Sequence, residues 1–247
     1  MARRPRYRLP GVAQYVLSRG HNGNPVFTDR HHYLTFRDVV EECAIETGCD
    51  VHAYAFVPSE VHLLMTPWVM DGIPKFVQSV GRIYGRYFNK CQQRRGTLWD
   101  GRYRASLIEP GLSTLMVQAY IEHVPFEKHG GSVSVGLSSR MATSCKRADS
   151  MLREHSGNAA LEGCHRKRRE RYEQFAREGL SQHSKDDIEN CLEHGLVYGS
   201  EAFKDEMTQR LGVPVRLGRP GRPRKGDGTH QSIASDTSRD GPRLVPA

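Results

Sequence analysis

A glutamate and a histidine stand two positions apart in an apolar stretch of the chain, in residues 57–64 with the sequence VPSEVHLL. Side chains two apart on a strand share a face, so Glu60 and His62 are expected side by side. A carboxylate oxygen beside an imidazole nitrogen suits Mn²⁺, Mg²⁺ or a similar divalent ion. Two ligands alone make a weak site, and a single histidine on a strand is usually structural, so the pair needs further partners.

Arginines and aromatic residues alternate in two other segments, which indicates contacts with nucleic acid. Interleaved cations and rings can follow phosphates and stack on unpaired bases, worth about 1–3 kcal/mol per base. Trp99 can equally be a core residue, and the sequence leaves both interpretations open. The candidates are Arg3, Arg4, Arg6 and Arg8 in the N-terminal arm, and Trp99, Arg102 and Arg104 in TLWDGRYR.

A third basic segment, GRPGRPRK, contains Arg219, Arg222, Arg224 and Lys225. It is similar to AT-hook peptides, in which prolines keep the backbone extended while arginines enter a narrow A·T minor groove. A solvated tail with nonspecific phosphate contacts explains the segment equally well. The basic run at residues 165–171 is more typical of a solvated helix face.

The overall composition agrees with a nucleic-acid partner. The chain has 36 Lys and Arg against 28 Asp and Glu, a formal charge of +8, which concentrates polyanions around it. Six cysteines show neither a C-x-x-C pair nor zinc-finger spacing, so reduced thiols are expected. Since no apolar stretch approaches the roughly 18–20 residues of a membrane span, and the N-terminus lacks the apolar part of a signal peptide, we expect a cytoplasmic protein without membrane contact.

The spacing of apolar residues predicts the elements that would position these side chains. Strands are predicted at residues 13–19, 50–57, 61–66 and 102–109, and helices between Asp29 and Gly48, at 72–93 and at 112–123, with Pro125 just past the last. This order predicts an α+β domain, a ferredoxin-like antiparallel sheet with helices on one face. A small helical C-terminal extension is expected to follow it.

Four regions are predicted along the chain. Residues 1–125 form the main domain with its basic arm, and residues 126–160, rich in Gly, Ser and charge, form a loosely structured connector. Helical patterns at 164–178, 185–194 and 200–211 indicate a helical region over residues 161–217. Residues 218–247 form a basic tail without a core pattern, which is expected to be disordered.

Several segments, in order along the chain, resemble the REP-associated tyrosine transposases of the single-tyrosine HUH superfamily. In the HUH nucleases, the strand that VPSEVHLLMTP resembles carries two histidines that flank one apolar residue and bind the metal. Glu60 stands at the first of these positions. The resemblance covers residues 2–225. Its other segments are ARRPRYRLPGVAQYVLSRGHNGNPVF, RIYGRYFNKCQQRRGTLWDGRYRASLIE, QAYIEHVP, and YGSEAFKDEMTQRLG with GRPGRPRK.

The resemblance implies an enzyme that cleaves and rejoins single-stranded or hairpin DNA. Tyr120 takes the position of the nucleophile, which would form a 5′-phosphotyrosine and release a 3′-hydroxyl. A divalent metal, Mg²⁺ or Mn²⁺, would polarise the scissile phosphate. The family's third ligand is an amide four residues after the tyrosine, where this chain has Val124. His123 either replaces that ligand or is an exposed residue at the helix end.

Two other functions fit the sequence. A noncatalytic DNA-binding descendant would keep the arginines and lose the metal, and the altered ligands at positions 60 and 124 favour it. RNA binding by a sheet that displays aromatics ranks last, because there is no RNP1-like run. The oligomeric state, monomer or homodimer, is left open.

Overall fold

The computed structural model describes residues 6–128, 136–139, 149–155, 157, 161 and 165–216. The chain divides into two units, Met1–Leu217 and Gly218–Ala247, and the described residues all belong to the first. None of the described helices is long and apolar enough to cross a lipid bilayer. Six candidate DNA-binding residues lie outside the described ranges: Arg3, Arg4, Arg219, Arg222, Arg224 and Lys225.

A six-stranded sheet forms the centre of this unit, in the order β5-β2-β3-β1-β4-β6. Neighbouring strands are antiparallel except β4 and β6, which are parallel. β2 and β3 form an antiparallel hairpin with only Pro58 and Ser59 between its strands. The strands are β1 Gln14–Arg19, β2 Cys49–Val57, β3 Glu60–Pro67, β4 Arg104–Ile108, β5 Leu137–Ser138 and β6 Val197–Tyr198.

The described residues also form six α-helices, and the α+β class is confirmed. α1 begins where the sequence predicts, because the Asp29 carboxylate accepts a hydrogen bond from the His32 backbone N–H at 3.0 Å. The helices are α1 Arg30–Glu46, α2 Gly72–Cys91, α3 Leu112–Lys128, α4 His165–Glu178, α5 Gln182–His194 and α6 Glu201–Leu211.

α3 is longer than predicted, because Pro125 lies inside it and not beyond its end. A proline in a helix removes one backbone donor, which normally ends the helix before it. Here the proline falls in the last turn, and it is buried. Packing of this turn therefore outweighs the missing hydrogen bond.

The two faces of the sheet have separate apolar cores. Val16 of β1 and Phe56 of β2 face a core shared with α1 and α2, whereas Tyr15 and Leu17 of β1 face α3 and α5. The sequence predicts all helices on one face of the sheet. In the structure α1 and α2 cover one face, and α3 and α5 cover the opposite face. The physical reason is visible in β1, where the first four residues are all buried, so both faces need a covering layer.

The C-terminal region packs into the same unit as the predicted main domain. β6 pairs with β4, opposing Leu107 with Val197. Ile188 and Leu192 of α5 are buried in the core that contains Tyr120. The helical extension therefore contributes directly to the face of the sheet on which Glu60 and His62 lie.

Parts of the predicted connector are also well packed. Within the described residues, Asp149 accepts hydrogen bonds from Arg37 at 2.6 Å and from the Tyr54 hydroxyl at 2.8 Å. Leu152 forms a parallel bridge with Val51 of β2. These interactions tie residues 149–155 to the sheet and to α1, so this stretch is not the loose linker that its composition predicts.

Candidate active site

Glu60 and His62 lie on the same face of β3, as their spacing predicts. The Oε2 atom of Glu60 is 3.2 Å from Nε2 of His62, and His62 is only 2% exposed. Opposite them on β2 stands Ala55, whose small side chain leaves room over this part of the sheet. The face is therefore accessible to groups from the covering helices.

Tyr15 of β1 holds the other nitrogen of His62. Its hydroxyl lies 2.6 Å from His62 Nδ1, and the two rings are stacked with centroids 6.0 Å apart. Burial raises the pKa of Tyr15 well above its usual value, and the neighbouring Tyr120 and Glu60 raise it further. Tyr15 therefore stays a neutral hydroxyl that fixes the orientation and tautomer of the imidazole.

Tyr120 reaches the same face from α3. It is 5% exposed, and its ring meets that of Tyr15 edge to face with centroids 6.1 Å apart. Its hydroxyl donates a 2.5 Å hydrogen bond to Oε1 of Glu189, on α5. Tyr15 thus stands between the tyrosine of α3 and the histidine of β3.

Two arginines and a second glutamate of α5 complete the polar cluster. Arg19 at the end of β1 bonds Glu60 through Nε at 2.9 Å and Glu193 through Nη1 at 2.9 Å. Arg104 of β4 forms an ion pair with the other carboxylate oxygen of Glu193. Three carboxylates, of Glu60, Glu189 and Glu193, therefore share this face with two guanidinium groups.

His123 and Val124 have different surroundings from those of the Glu60–His62 pair. Nδ1 of His123 lies 2.7 Å from the Ala119 carbonyl oxygen, so this half-buried ring is bonded to its own helix. Val124 is buried in the apolar core, where it offers no ligand atom. Within the described residues, no group of three or more His, Cys, Asp or Glu side chains is arranged to hold a metal. Glu60 and His62 are thus brought together as a pair, without His123 as a third member.

The Glu60–His62 pair fits a divalent cation as a two-donor site. One imidazole nitrogen and one carboxylate oxygen lie close enough to bind the same ion, and Tyr15 on Nδ1 supplies the outer contact that orients metal-binding histidines. Arg19 on the other oxygen of Glu60 leaves Oε2 turned toward His62. Such a site would need substrate oxygens or water for its remaining coordination positions.

The sequence of residues 16–124 matches the family described as IS200-like transposases. This matched region covers 109 of the 247 residues. It contains most of β1, all of α1, β2, β3, α2 and β4, and most of α3, together with Glu60, His62, Tyr120 and His123. Glu189 and Glu193 lie outside it, on α5.

Two solved structures are similar to this chain. One is a REP-associated tyrosine transposase bound to a REP hairpin, at 12% identity and TM-score 0.48, with 63% of this chain and 93% of that chain covered. The other is a proposed transposase from Deinococcus radiodurans R1, at 16% identity and TM-score 0.35, with 60% and 100% covered. No curated protein matches the chain.

The described DNA-binding candidates differ in their surroundings. Arg6 stacks on Tyr103 with its guanidinium carbon 3.8 Å from the ring centroid, and Arg8 pairs with Asp71 at 3.0 Å. Arg102 is exposed. Trp99 is half-buried and packs against Phe36, with centroids 6.1 Å apart, which favours the core interpretation.

Sequence reasoning assigned no function to a basic stripe on α2. Lys75, Arg82, Arg86 and Lys90 recur at helical spacing, all four are exposed, and α2 contains no acidic residue. At 1.5 Å per residue the stripe spans about 22 Å. Sequence analysis could have found this stripe from the helical spacing of its cations. No sequence pattern indicates the hydrogen bond between Tyr120 and Glu189, because it joins residues far apart in the chain.

Proposed function

We propose that the chain cleaves and rejoins single-stranded or hairpin DNA, with Tyr120 as the nucleophile and Glu60 and His62 as holders of a divalent metal. The observation that carries this proposal is the convergence on one sheet face of Tyr120, Tyr15 and His62, linked by an edge-to-face ring contact and a hydrogen bond. The match of residues 16–124 to the IS200-like transposases supports the reaction class, since transposases mobilise DNA.

In the proposed reaction, the Tyr120 oxygen attacks the phosphorus of a phosphodiester and the bond to the 3′ oxygen breaks. The products are a 5′-phosphotyrosine and a 3′-hydroxyl, and the covalent bond conserves the energy needed for rejoining. A bound Mg²⁺ or Mn²⁺ would polarise the scissile phosphate and offset its charge. Tyr15 orients His62, and Arg19 orients Glu60, so both donor groups are preorganised.

The DNA would also contact positively charged surface on α2, which covers the face of the sheet opposite the Tyr120 site. The α2 stripe supplies four exposed cations on one helix face, and Arg102 adds another on the segment before β4. Such cations bind phosphates without reading sequence, and they fix the register of the nucleic acid. Hairpin recognition by the chain therefore requires further interactions with bases.

The experiment is an adduct assay on hairpin oligonucleotides taken from the flanks of the protein's own gene. Protein and 5′-labelled or 3′-labelled DNA are mixed with Mg²⁺ or Mn²⁺, and a covalent complex is detected on a denaturing gel. We expect the label to stay with the protein when it lies 3′ to the cut. His62→Ala is expected to abolish the adduct, whereas Glu60→His keeps or increases it.

A noncatalytic DNA-binding protein is the alternative outcome, favoured by the ligand changes at positions 60 and 124. It would bind the hairpins but form no adduct with any divalent metal. If Glu60→His combined with Val124→Asn, which restores the family's ligand types, also forms none, the catalytic proposal is wrong. The same assay separates the two because binding is measured on the identical oligonucleotides.

A further inference from the structure

The Tyr120 hydroxyl is hydrogen-bonded to a residue outside the region matched to the IS200-like transposases, residues 16–124. Oε1 of Glu189 accepts this bond at 2.5 Å. The bond bridges residues 69 positions apart. A carboxylate at this distance from a nucleophilic oxygen is placed to take its proton.

Glu189 is held there by the docking of α5. Ile188, beside it in sequence, and Leu192, one turn later, are buried in the same core as Tyr120. One turn beyond Glu189, the Glu193 carboxylate is fixed by ion pairs with Arg19 and Arg104. Apolar anchors and ion pairs thus set both the position and the rotation of the helix that presents the carboxylate.

We propose that Glu189 is the general base that activates Tyr120, so that the C-terminal region completes the active site. The inference rests on the function proposed above. Glu189 Oε1 takes the phenolic proton as the O–H bond breaks and the Tyr120 oxygen bonds to phosphorus. The electron pair of the breaking P–O bond leaves on the 3′ oxygen, which gains a proton from water, while Glu189 returns its proton to solvent. In rejoining, the 3′ oxygen bonds to phosphorus and its proton goes to water, while the bond between phosphorus and the Tyr120 oxygen breaks and Glu189, protonated again from solvent, gives its proton to that oxygen.

The exposure of Glu189 suits this role. Its residue is exposed on α5, so water can reach the carboxylate and carry the proton away, which a fully buried base would not allow. The groups that face it are Tyr120 from α3 and Tyr15 from β1, and Lys185 and Glu193 lie one turn away on its own helix. The core does not require a carboxylate here, because Ile188 and Leu192 supply the apolar packing.

The test compares the rate of adduct formation across pH for wild type, Glu189→Gln and Asp186→Asn. Glu189→Gln keeps the size and a hydrogen-bond acceptor but loses the base. We expect its rate at neutral pH to fall about 10²–10⁴-fold, the usual contribution of general-base catalysis, and to rise with pH as hydroxide replaces the carboxylate. Asp186→Asn removes the same charge from an exposed position on the same helix and should react like wild type.

A second variant tests whether the slow rate of Glu189→Gln comes from the lost carboxylate and not from the amide that replaces it. Glu189→Ala opens space beside Tyr120, and added formate should restore part of its rate, whereas the rates of wild type and Asp186→Asn should not respond to formate. Melting curves of all variants report whether α5 remains docked.

Three results would overturn the proposal, and they are distinguishable. If wild type reacts and Glu189→Gln reacts as fast or faster, Glu189 is not the base and its side chain only covers Tyr120. If Glu189→Gln is slow but neither formate rescue nor a changed pH profile is seen, the carboxylate acts only by packing. If wild type forms no adduct at all, the proposed function fails together with this role.

Discussion

Replacing Tyr120 by phenylalanine separates a catalytic hydroxyl from a structural one, and Tyr15→Phe provides a matched control. Both rings are buried on the same face of the sheet, and each hydroxyl makes a short hydrogen bond. The bonds differ in the partner group. Tyr120 bonds an exposed carboxylate on α5, whereas Tyr15 bonds His62, which is buried.

The expected stability changes follow from these partners. In Tyr120→Phe the Glu189 carboxylate regains water, so the free energy of unfolding should fall by no more than about 1 kcal/mol. In Tyr15→Phe the buried His62 loses a partner that water cannot easily replace, at a cost of about 1–3 kcal/mol. For a unit of this size, each kcal/mol lowers Tm by roughly 2–4 °C.

The expected activities run in the opposite order. Tyr120→Phe should form no phosphotyrosine adduct while binding hairpin DNA as tightly as wild type, measured by fluorescence anisotropy. Tyr15→Phe should still form the adduct, more slowly, because the nucleophile remains and only the orientation of His62 is loosened. An adduct in Tyr120→Phe, or a greater loss of stability there than in Tyr15→Phe, would refute the reasoning.

Three further predictions concern other parts of the chain. Burial, and then the neighbouring His52, lower the pKa of His155 to about 3. An unfolded histidine titrates near 6.5, so the stability that this group contributes is present above that pH and is lost as pH falls toward 3, by about 2 kcal/mol between pH 7 and 5. Urea unfolding of His155→Gln should lack this dependence of the unfolding free energy on pH. Replacing both Arg82 and Arg86 by alanine should weaken DNA binding and reduce the slope of the logarithm of the binding constant against the logarithm of salt concentration, by about 0.9 for each phosphate that is no longer neutralised. An unchanged slope would exclude the α2 stripe from the DNA interface. Deleting residues 219–225 should weaken binding and flatten the same salt dependence, and unchanged affinity and slope would show that the tail does not touch DNA.

Local patterns predicted most of the elements in this structure. Asp29 marked the start of α1, and the alternation around Glu60 and His62 placed both side chains on one face of β3. These features depend on residues close in sequence, which is why periodicity and capping chemistry identify them. The same reasoning ended α3 too early at Pro125, since it gave no weight to tertiary packing of the last turn.

The remaining parts of the site depend on interactions between distant residues. Nothing in the sequence around Glu189 or Glu193 indicates that α5 meets Tyr120 and Arg19, because α5 by itself has the pattern of an ordinary surface helix. Strand β6 was missed for a related reason. Two residues, Val197 and Tyr198, are too short a run to show a strand period, and only the open edge of β4 gives them a partner.

The late position of β6 and α5 has a consequence for synthesis of the protein. When the ribosome has made β4 and α3, the partner of Leu107 is still to be synthesised, which at 5–20 residues per second means a delay on the order of ten seconds. During that interval the nascent chain carries a bare β4 edge and the uncovered Tyr120 surface. Bare edges pair readily with other chains, so a message truncated after α3 would yield a product with a permanent site for aggregation.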